Sequence, residues 1–421
     1  MSDTPFFGGG DFLRSMLGDL VRMMPSGTGL QWQLAYQLAA QITAGGGPDP
    51  NPDPIERIRF EELSAIAELH VSEVTGMPVA PAGGSVRLVP ASRAEWTRRT
   101  LDVWRPVLDR LAAALGPTEP GESEGQGKGG GTEFPPAQSG AFTPDLSGSP
   151  ALPEDDDEMT GLLGKWAAAM FPALTAWQIG SVAGHLAERA LGTYDVPLAP
   201  VPGEELLVVS GNLAAVAADW SLPIDDLRLW LCVHEMAYHT VLSRQAVADR
   251  IAGLVVEHAQ LVRPDPDALG QLLQQSDPSD LASFARTLGD PSSLLPGGSD
   301  PELTRVRAEL DAVTAAVSGF AENVTRTIGS RVIGNTTPIG EAMRRRRVSR
   351  GDGERVAETL FGLRLDQSQI DRGARFVAGV LDRSGELQLA KMWGDARNLP
   401  TPAEVDAPGL WLARLELPID G

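Results

Sequence analysis

The sequence predicts a mainly α-helical protein with a small β element. Apolar side chains recur at helical spacing along most of the chain, whereas only residues 206–209 form a short valine-rich run typical of a buried strand. Hydrophobic residues make up 42% and charged residues 22% of the 421 residues. These fractions are ordinary for a globular protein. The length favours two packed regions or one large helical domain with insertions.

In the N-terminal part, the sequence predicts four helices, with one helix-breaking segment between the second and the third. The first is a short amphipathic helix that we expect to dock on the protein's own core. The breaker, residues 45–54, is rich in Gly, Pro and Asp. The predicted helices cover residues 12–24, 31–42, 55–75 and 93–115.

The composition changes sharply over residues 116–158, where Gly, Pro, Ser and acidic residues dominate. Such a segment cannot bury enough apolar surface to form a core. We therefore expect a flexible insertion there, which separates an N-terminal helical region, 1–115, from a larger helical region, 159–421.

In the C-terminal region, the sequence predicts four helices and the single strand. A turn at 192–198 precedes that strand, and Asp225 and Asp226 mark a helix start because acidic residues favour the positive end of the helix dipole. A polar stretch over 263–301 separates the last two helices. The predicted helices cover residues 162–191, 225–242, 247–261 and 303–328.

Charge and cysteine content exclude several classes of protein. Thirty-five basic and 56 acidic residues give a net charge of −21, which argues against a nucleic-acid binder. The arginine run 344–347 is accordingly expected to be a solvated helix end paired with acidic neighbours. The single cysteine, Cys232, excludes a disulfide framework and is expected to be buried. Without an apolar run near 20 residues or a signal-peptide pattern, we expect a cytoplasmic protein with no membrane span.

One segment combines two histidines and an acid on a predicted helix, His234-Glu235-Met236-Ala237-Tyr238-His239. The zinc motif HExxH places its histidines four residues apart, about 40° around a helix, so that both reach one metal ion. Here the spacing is five residues, or about 140°, and a regular helix cannot aim both at one ion. A π-bulge would restore the alignment. Taken alone, the His-Glu pair is also typical of a hydrogen-bonded core pair.

The flanks of this segment resemble the zincin-like metallopeptidase family of actinobacteria, including the branch named for association with deazaflavin-coenzyme biosynthesis. The aliphatic-Trp-aliphatic lead-in before His234 and the turn Tyr194-Asp195-Val196-Pro197-Leu198 look like the family's patterns. Further similar segments lie at 62–76, 178–187, 344–347, 375–377, 393, 398–400 and 411–414. The resemblance implies a zincin-like multi-helical metallopeptidase fold.

The resemblance also implies roles for single residues. His234 stands at the first ligand position, Glu235 at the general-base position and Tyr238 at the second ligand position. The segment 318–324 is similar to the family's downstream acidic signature, which puts Ser318 at the third ligand position, where the family has glutamate. Two of the three ligand positions are therefore substituted, and His239 matches an extra histidine that is not a ligand.

Three hypotheses follow from these substitutions, and they leave open whether the chain is an enzyme. The first is a degenerate member, a pseudoenzyme that serves as an interaction or scaffold protein for an unknown protein partner and needs no cofactor. The second is an active zinc hydrolase with an unusual ligand set of His234, His239 and Glu322. The third is a small-molecule binding protein that reuses the vacated cleft.

Overall fold

The computed structural model describes residues 30–115, 173–262 and 300–417, apart from Gly46, Leu174, Arg350 and Leu365. The helix expected at 12–24, the insertion expected at 116–158 and most of the polar stretch at 263–301 lie outside these residues. The described residues belong to one compact unit formed by Gly27–Leu115 and Pro172–Gly421.

Between residues 30 and 115, the structure describes three long helices, α1 (Trp32–Gly45), α2 (Pro54–Thr75) and α3 (Arg93–Leu115). The start of α2 is fixed by Asp53, whose side chain accepts a hydrogen bond from the Ile55 backbone N–H at 2.9 Å. It ends at Gly76, which has the left-handed conformation typical of a helix C-terminus, with φ 64°. The helices predicted at 31–42, 55–75 and 93–115 are confirmed.

The β element is a parallel pair, β1 (Arg87–Ala91) and β2 (Glu205–Val209), in which Leu88 lies opposite Leu206. The strand predicted at 206–209 is confirmed as β2. Its partner β1 was not predicted, because it is only five residues long and contains Pro90. The mainly α class with a small β element is confirmed.

Among the residues described between 173 and 262, four helices surround the strand β2. They are α4 (175–187), α5 (Ser210–Asp219), α6 (Ile224–Leu242) and α7 (Gln245–Leu261), and a 3-10 turn covers Thr193–Asp195. The prediction for α6 is confirmed, with Asp225 and Asp226 in its first turn. The helix predicted at 162–191 was too long at its end, and α5 was not predicted.

The C-terminal part consists of one very long helix and shorter ones packed against it. They are α8 (Pro301–Val332), α9 (Thr337–Val348), α10 (Asp352–Phe361), α11 (Gln367–Ala390), α12 (Pro402–Asp406) and α13 (Pro408–Glu416). None of the helices in the described ranges combines the length and hydropathy that crossing a bilayer requires.

Two glycines bring α8 and α11 into backbone contact. A Cβ added to Gly319 would lie 2.1 Å from the carbonyl carbon of Gly373, and one added to Gly373 would lie 1.7 Å from the Ala315 carbonyl oxygen. Neither position can hold a side chain without a shift of backbone. This crossing fixes α8 beside α6, which is buried along most of its length and carries the His-Glu segment.

Candidate functional site

Helix α6 is a regular α-helix from Ile224 to Leu242 with no π turn. His234 and His239 therefore project about 140° apart. The hydroxyl of Tyr194 lies 2.8 Å from Nδ1 of His239 and accepts a hydrogen bond from the Val201 backbone N–H at 3.3 Å. Burial lowers the pKa of His239 to about 4, so its imidazole is neutral near pH 7.

His234 lies on the other side of α6 among aromatic rings. Its imidazole stacks on Trp230 with ring centroids 4.7 Å apart and meets the edge of Tyr238 at 5.1 Å. Burial, with a smaller effect of the nearby Arg347 guanidinium, lowers the pKa of His234 to about 3. The imidazole is therefore neutral, the form that can bind a metal ion or accept a hydrogen bond.

A cavity of ≈ 90 Å³ lies where α6, α8 and α9 meet. It brings together the three residues that the resemblance puts at the family's ligand positions. Burial raises the pKa of Tyr238 to about 12, so its phenol stays protonated. The polar lining includes His234, Tyr238, Ser318, Arg346, Arg347 and Arg364.

Two arginines of α9 reach this cavity. The Arg346 side chain donates a hydrogen bond to the Arg189 carbonyl oxygen, and Nη1 of Arg347 lies 3.5 Å from a carboxylate oxygen of Glu322. The prediction of a solvated, paired arginine run holds for Arg344 and Arg345, which are exposed and pair with Glu341. It was wrong for Arg346 and Arg347.

The sequence held a signal for this placement of Arg346 and Arg347. Ile339, Ala342 and Met343 are buried along one face of α9, and positions three or four residues further continue that face. The inward arginines were missed because the net charge of the whole chain was given more weight than this local periodicity. No comparable pattern marked Arg364, which reaches the cavity from the loop after α10.

Glu235 stabilises a turn beside α6. Its carboxylate accepts a hydrogen bond from the backbone N–H of Tyr194 at 2.9 Å. Gly192 approaches so closely that an added Cβ would lie 2.3 Å from the Glu235 carboxyl carbon. Burial, together with the charge of Asp195, raises the pKa of Glu235 to about 8. Glu235 does not line the cavity that His234 lines.

The donor atoms around the cavity do not fit a zinc ion. Catalytic zinc sites use three protein ligands, drawn from neutral imidazole, thiolate and carboxylate groups. Here His234 supplies one imidazole, whereas Tyr238 and Ser318 supply neutral hydroxyls. Among the residues that the structure describes, no three His, Cys, Asp or Glu side chains form a group that could hold a metal ion.

The other candidate ligands and the other histidines do not line the cavity. Glu322 is engaged by Arg347, and Cys232 is buried as expected. His185, exposed beside Glu188, and His258, buried between α7 and its neighbours, are not part of the cavity lining.

Comparison with known proteins gives one family and one similar fold. The model of the family described as zincin-like metallopeptidase matches residues 30–412. No curated protein sequence is significantly similar to this chain. A crystal structure from Chloroflexus aurantiacus, described as a candidate hydrolase with a novel fold, aligns with a TM-score of 0.56 at 20% sequence identity, over 92% of this chain and 99% of that one. At this identity the likeness concerns the fold alone.

Proposed function

The chain belongs to the zincin-like metallopeptidase family, and we propose that it is a degenerate member, acting as an interaction or scaffold protein without zinc hydrolysis. The family usually binds zinc. One observation carries the proposal: of the three side chains at the ligand positions that face the cavity, two are the neutral hydroxyls of Tyr238 and Ser318. A single imidazole from His234 is too little to retain zinc.

The position of Glu235 supports the same proposal. A general base must lie within hydrogen-bond reach of the water that it deprotonates. The Glu235 carboxylate instead accepts a hydrogen bond from the backbone N–H of Tyr194, in the turn at 193–195. Its role in this chain is therefore to fix that turn against α6, which is a structural role that survives the loss of catalysis.

The alternative ligand set of an active zinc hydrolase has less support. His239 faces Tyr194 on another side of α6, and the Glu322 carboxylate is paired with Arg347. Bringing His234, His239 and Glu322 onto one ion would require a distorted helix and the loss of both of these contacts. We therefore rank this hypothesis below the degenerate one.

A second candidate function is small-molecule binding in the cavity, favoured by its three arginines and by the hydroxyls of Tyr238 and Ser318. It is compatible with the first, because a binding protein can use both a surface and a cleft. Because the net charge of the chain is −21, we propose no nucleic-acid partner. We propose the cytoplasm as the compartment. The identity of a protein partner stays open.

Metal content tests the proposal. We expect protein purified from zinc-replete medium to carry far less than one equivalent of zinc, measured by elemental analysis. The double substitution Tyr238→His with Ser318→Glu restores an imidazole and a carboxylate at the cavity and should raise zinc toward one equivalent. Its matched control, Tyr238→Phe with Ser318→Ala, should not.

Two results would contradict the proposal. One is near-stoichiometric zinc in the unaltered protein that is lost on His234→Ala. The other is chelator-sensitive peptidase activity that is abolished by Glu235→Gln.

A further inference from the structure

The cavity beside α6 holds a cation whose pairing is loose. Nη1 of Arg347 lies 3.5 Å from Glu322 and 3.4 Å from the side-chain oxygen of Gln367. Charge-assisted hydrogen bonds of guanidinium groups are normally about 2.7–2.9 Å long. The Arg347 side chain is only 20% exposed, so it is largely removed from water, and its ion pair with Glu322 is longer than a charge-assisted hydrogen bond.

The acidic residues that line the cavity are already engaged elsewhere. Asp195 accepts hydrogen bonds from the backbone N–H groups of Leu191 and Gly192. Glu354 accepts one from the Gly351 N–H at 2.6 Å and pairs with Arg189 at 3.2 Å. Neither carboxylate is therefore in position to satisfy Arg347.

Neutral hydrogen-bond donors surround the same space. Tyr238 and Ser318 each carry a hydroxyl at the cavity wall, and the Arg347 charge acts on both His234 and Tyr238, so the guanidinium lies near them. Arg346 and Arg364 also line the cavity. Arg346 lies near the charges of Asp195 and Glu354, and Arg364 pairs with Asp311 and Asp366 at 3.4 Å. The volume of ≈ 90 Å³ has room for a few water molecules or one small oxyanion.

We propose that this cavity binds an oxyanion, a carboxylate or a phosphate group, with Arg347 as its counter-charge and the hydroxyls of Tyr238 and Ser318 as donors. The proposal rests on the proposed function, because a zinc ion at His234 would attract the same anions by itself. It specifies the chemistry of the ligand that a small-molecule binding role requires. Guanidinium groups recognise the planar carboxylate and the phosphate equally well.

The test is a titration of the full chain with inorganic phosphate and, separately, with acetate at constant ionic strength, read as a shift in melting temperature. We expect a saturable rise with at least one of the two anions, and the response to each distinguishes the two sources. Arg347→Gln should weaken the apparent affinity about tenfold or more, because a hydrogen bond to a charged group contributes roughly 1.5–3 kcal/mol. Ser318→Ala should weaken it by roughly fivefold.

Arg344→Gln is the matched control, because Arg344 lies on the same helix but is 61% exposed; its response should equal that of the unaltered protein. The proposal is overturned if neither anion gives a saturable shift, or if Arg344→Gln and Arg347→Gln respond alike. If Arg347→Gln does not fold, Ser318→Ala and Tyr238→Phe decide by the same comparison.

Repeating the titration with a neutral chelator separates this proposal from the previous one. Binding that persists in the chelator supports the arginine site. Binding that disappears with the chelator means that a metal ion holds the anion, which contradicts the proposed function as well.

Discussion

Replacing Glu235 separates a structural carboxylate from a catalytic one. In Glu235→Ala, the backbone N–H group of Tyr194 loses its acceptor inside the protein. An unsatisfied buried donor costs about 1–3 kcal/mol, so we expect the free energy of unfolding to fall by about that amount. A residue that serves only catalysis would give a much smaller loss.

Urea denaturation followed by circular dichroism measures this loss, with an unchanged m-value as the check that unfolding remains two-state. A Glu235→Ala variant that unfolds within about 0.5 kcal/mol of the unaltered protein, as ordinary surface substitutions do, would refute the structural role.

The close approach of Gly192 provides an internal control. Its backbone is extended, with φ −138° and ψ −171°, so alanine suits the backbone and only the contact with the Glu235 carboxyl opposes it. Gly192→Ala should therefore destabilise the unaltered protein but cost much less in the Glu235→Ala background. Additive losses in this double-mutant cycle would mean that the two residues do not interact.

The raised pKa of Glu235 adds a pH dependence with a definite sign. Below its usual pKa of 4.5 the carboxyl is protonated in both the folded and the unfolded chain. Between 4.5 and about 8 the unfolded chain ionises while the folded state keeps the proton, so the contribution of this group to stability falls as pH rises. Glu235→Gln should flatten the stability curve over this range, and an unchanged slope would contradict the raised pKa.

The remaining two predictions concern packing and a second buried titratable group. Gly373→Ala should lower the free energy of unfolding by about 1–3 kcal/mol or more through the clash with α8. The control Gly340→Ala, in open space on α9, should be neutral or stabilise the protein by up to about 1 kcal/mol. Equal effects of the two substitutions in urea denaturation would refute the close crossing. Burial lowers the pKa of His258 from 6.5 to about 4, so its contribution to stability is lost as pH falls from 6.5 through 4. His258→Gln should therefore show a smaller drop in melting temperature between pH 7 and pH 5 than the unaltered protein. An identical drop would contradict the lowered pKa.

Local patterns in the sequence were sufficient for the helices and for one strand. The period of apolar residues and the acidic start at Asp225 and Asp226 predicted α6 almost to the residue, because helix formation depends on neighbours within four positions. The valine-rich run predicted β2 because β-branched residues favour strands. Strand β1 was not predicted, because Pro90 interrupts its short apolar run.

The sequence by itself determined the residue types at positions 234, 238 and 318. Through the resemblance, it implied that Tyr238 and Ser318 replace metal ligands of the family. It could not determine what surrounds them. Glu235 accepts a hydrogen bond from a turn 41 residues earlier, and Arg347 is directed inward. Both features depend on contacts between distant segments, and such contacts leave no periodic pattern in the sequence. Tertiary packing alone decided that a guanidinium and two hydroxyls, rather than a metal-binding set, face the cavity, because burial and charge are properties of the folded neighbourhood.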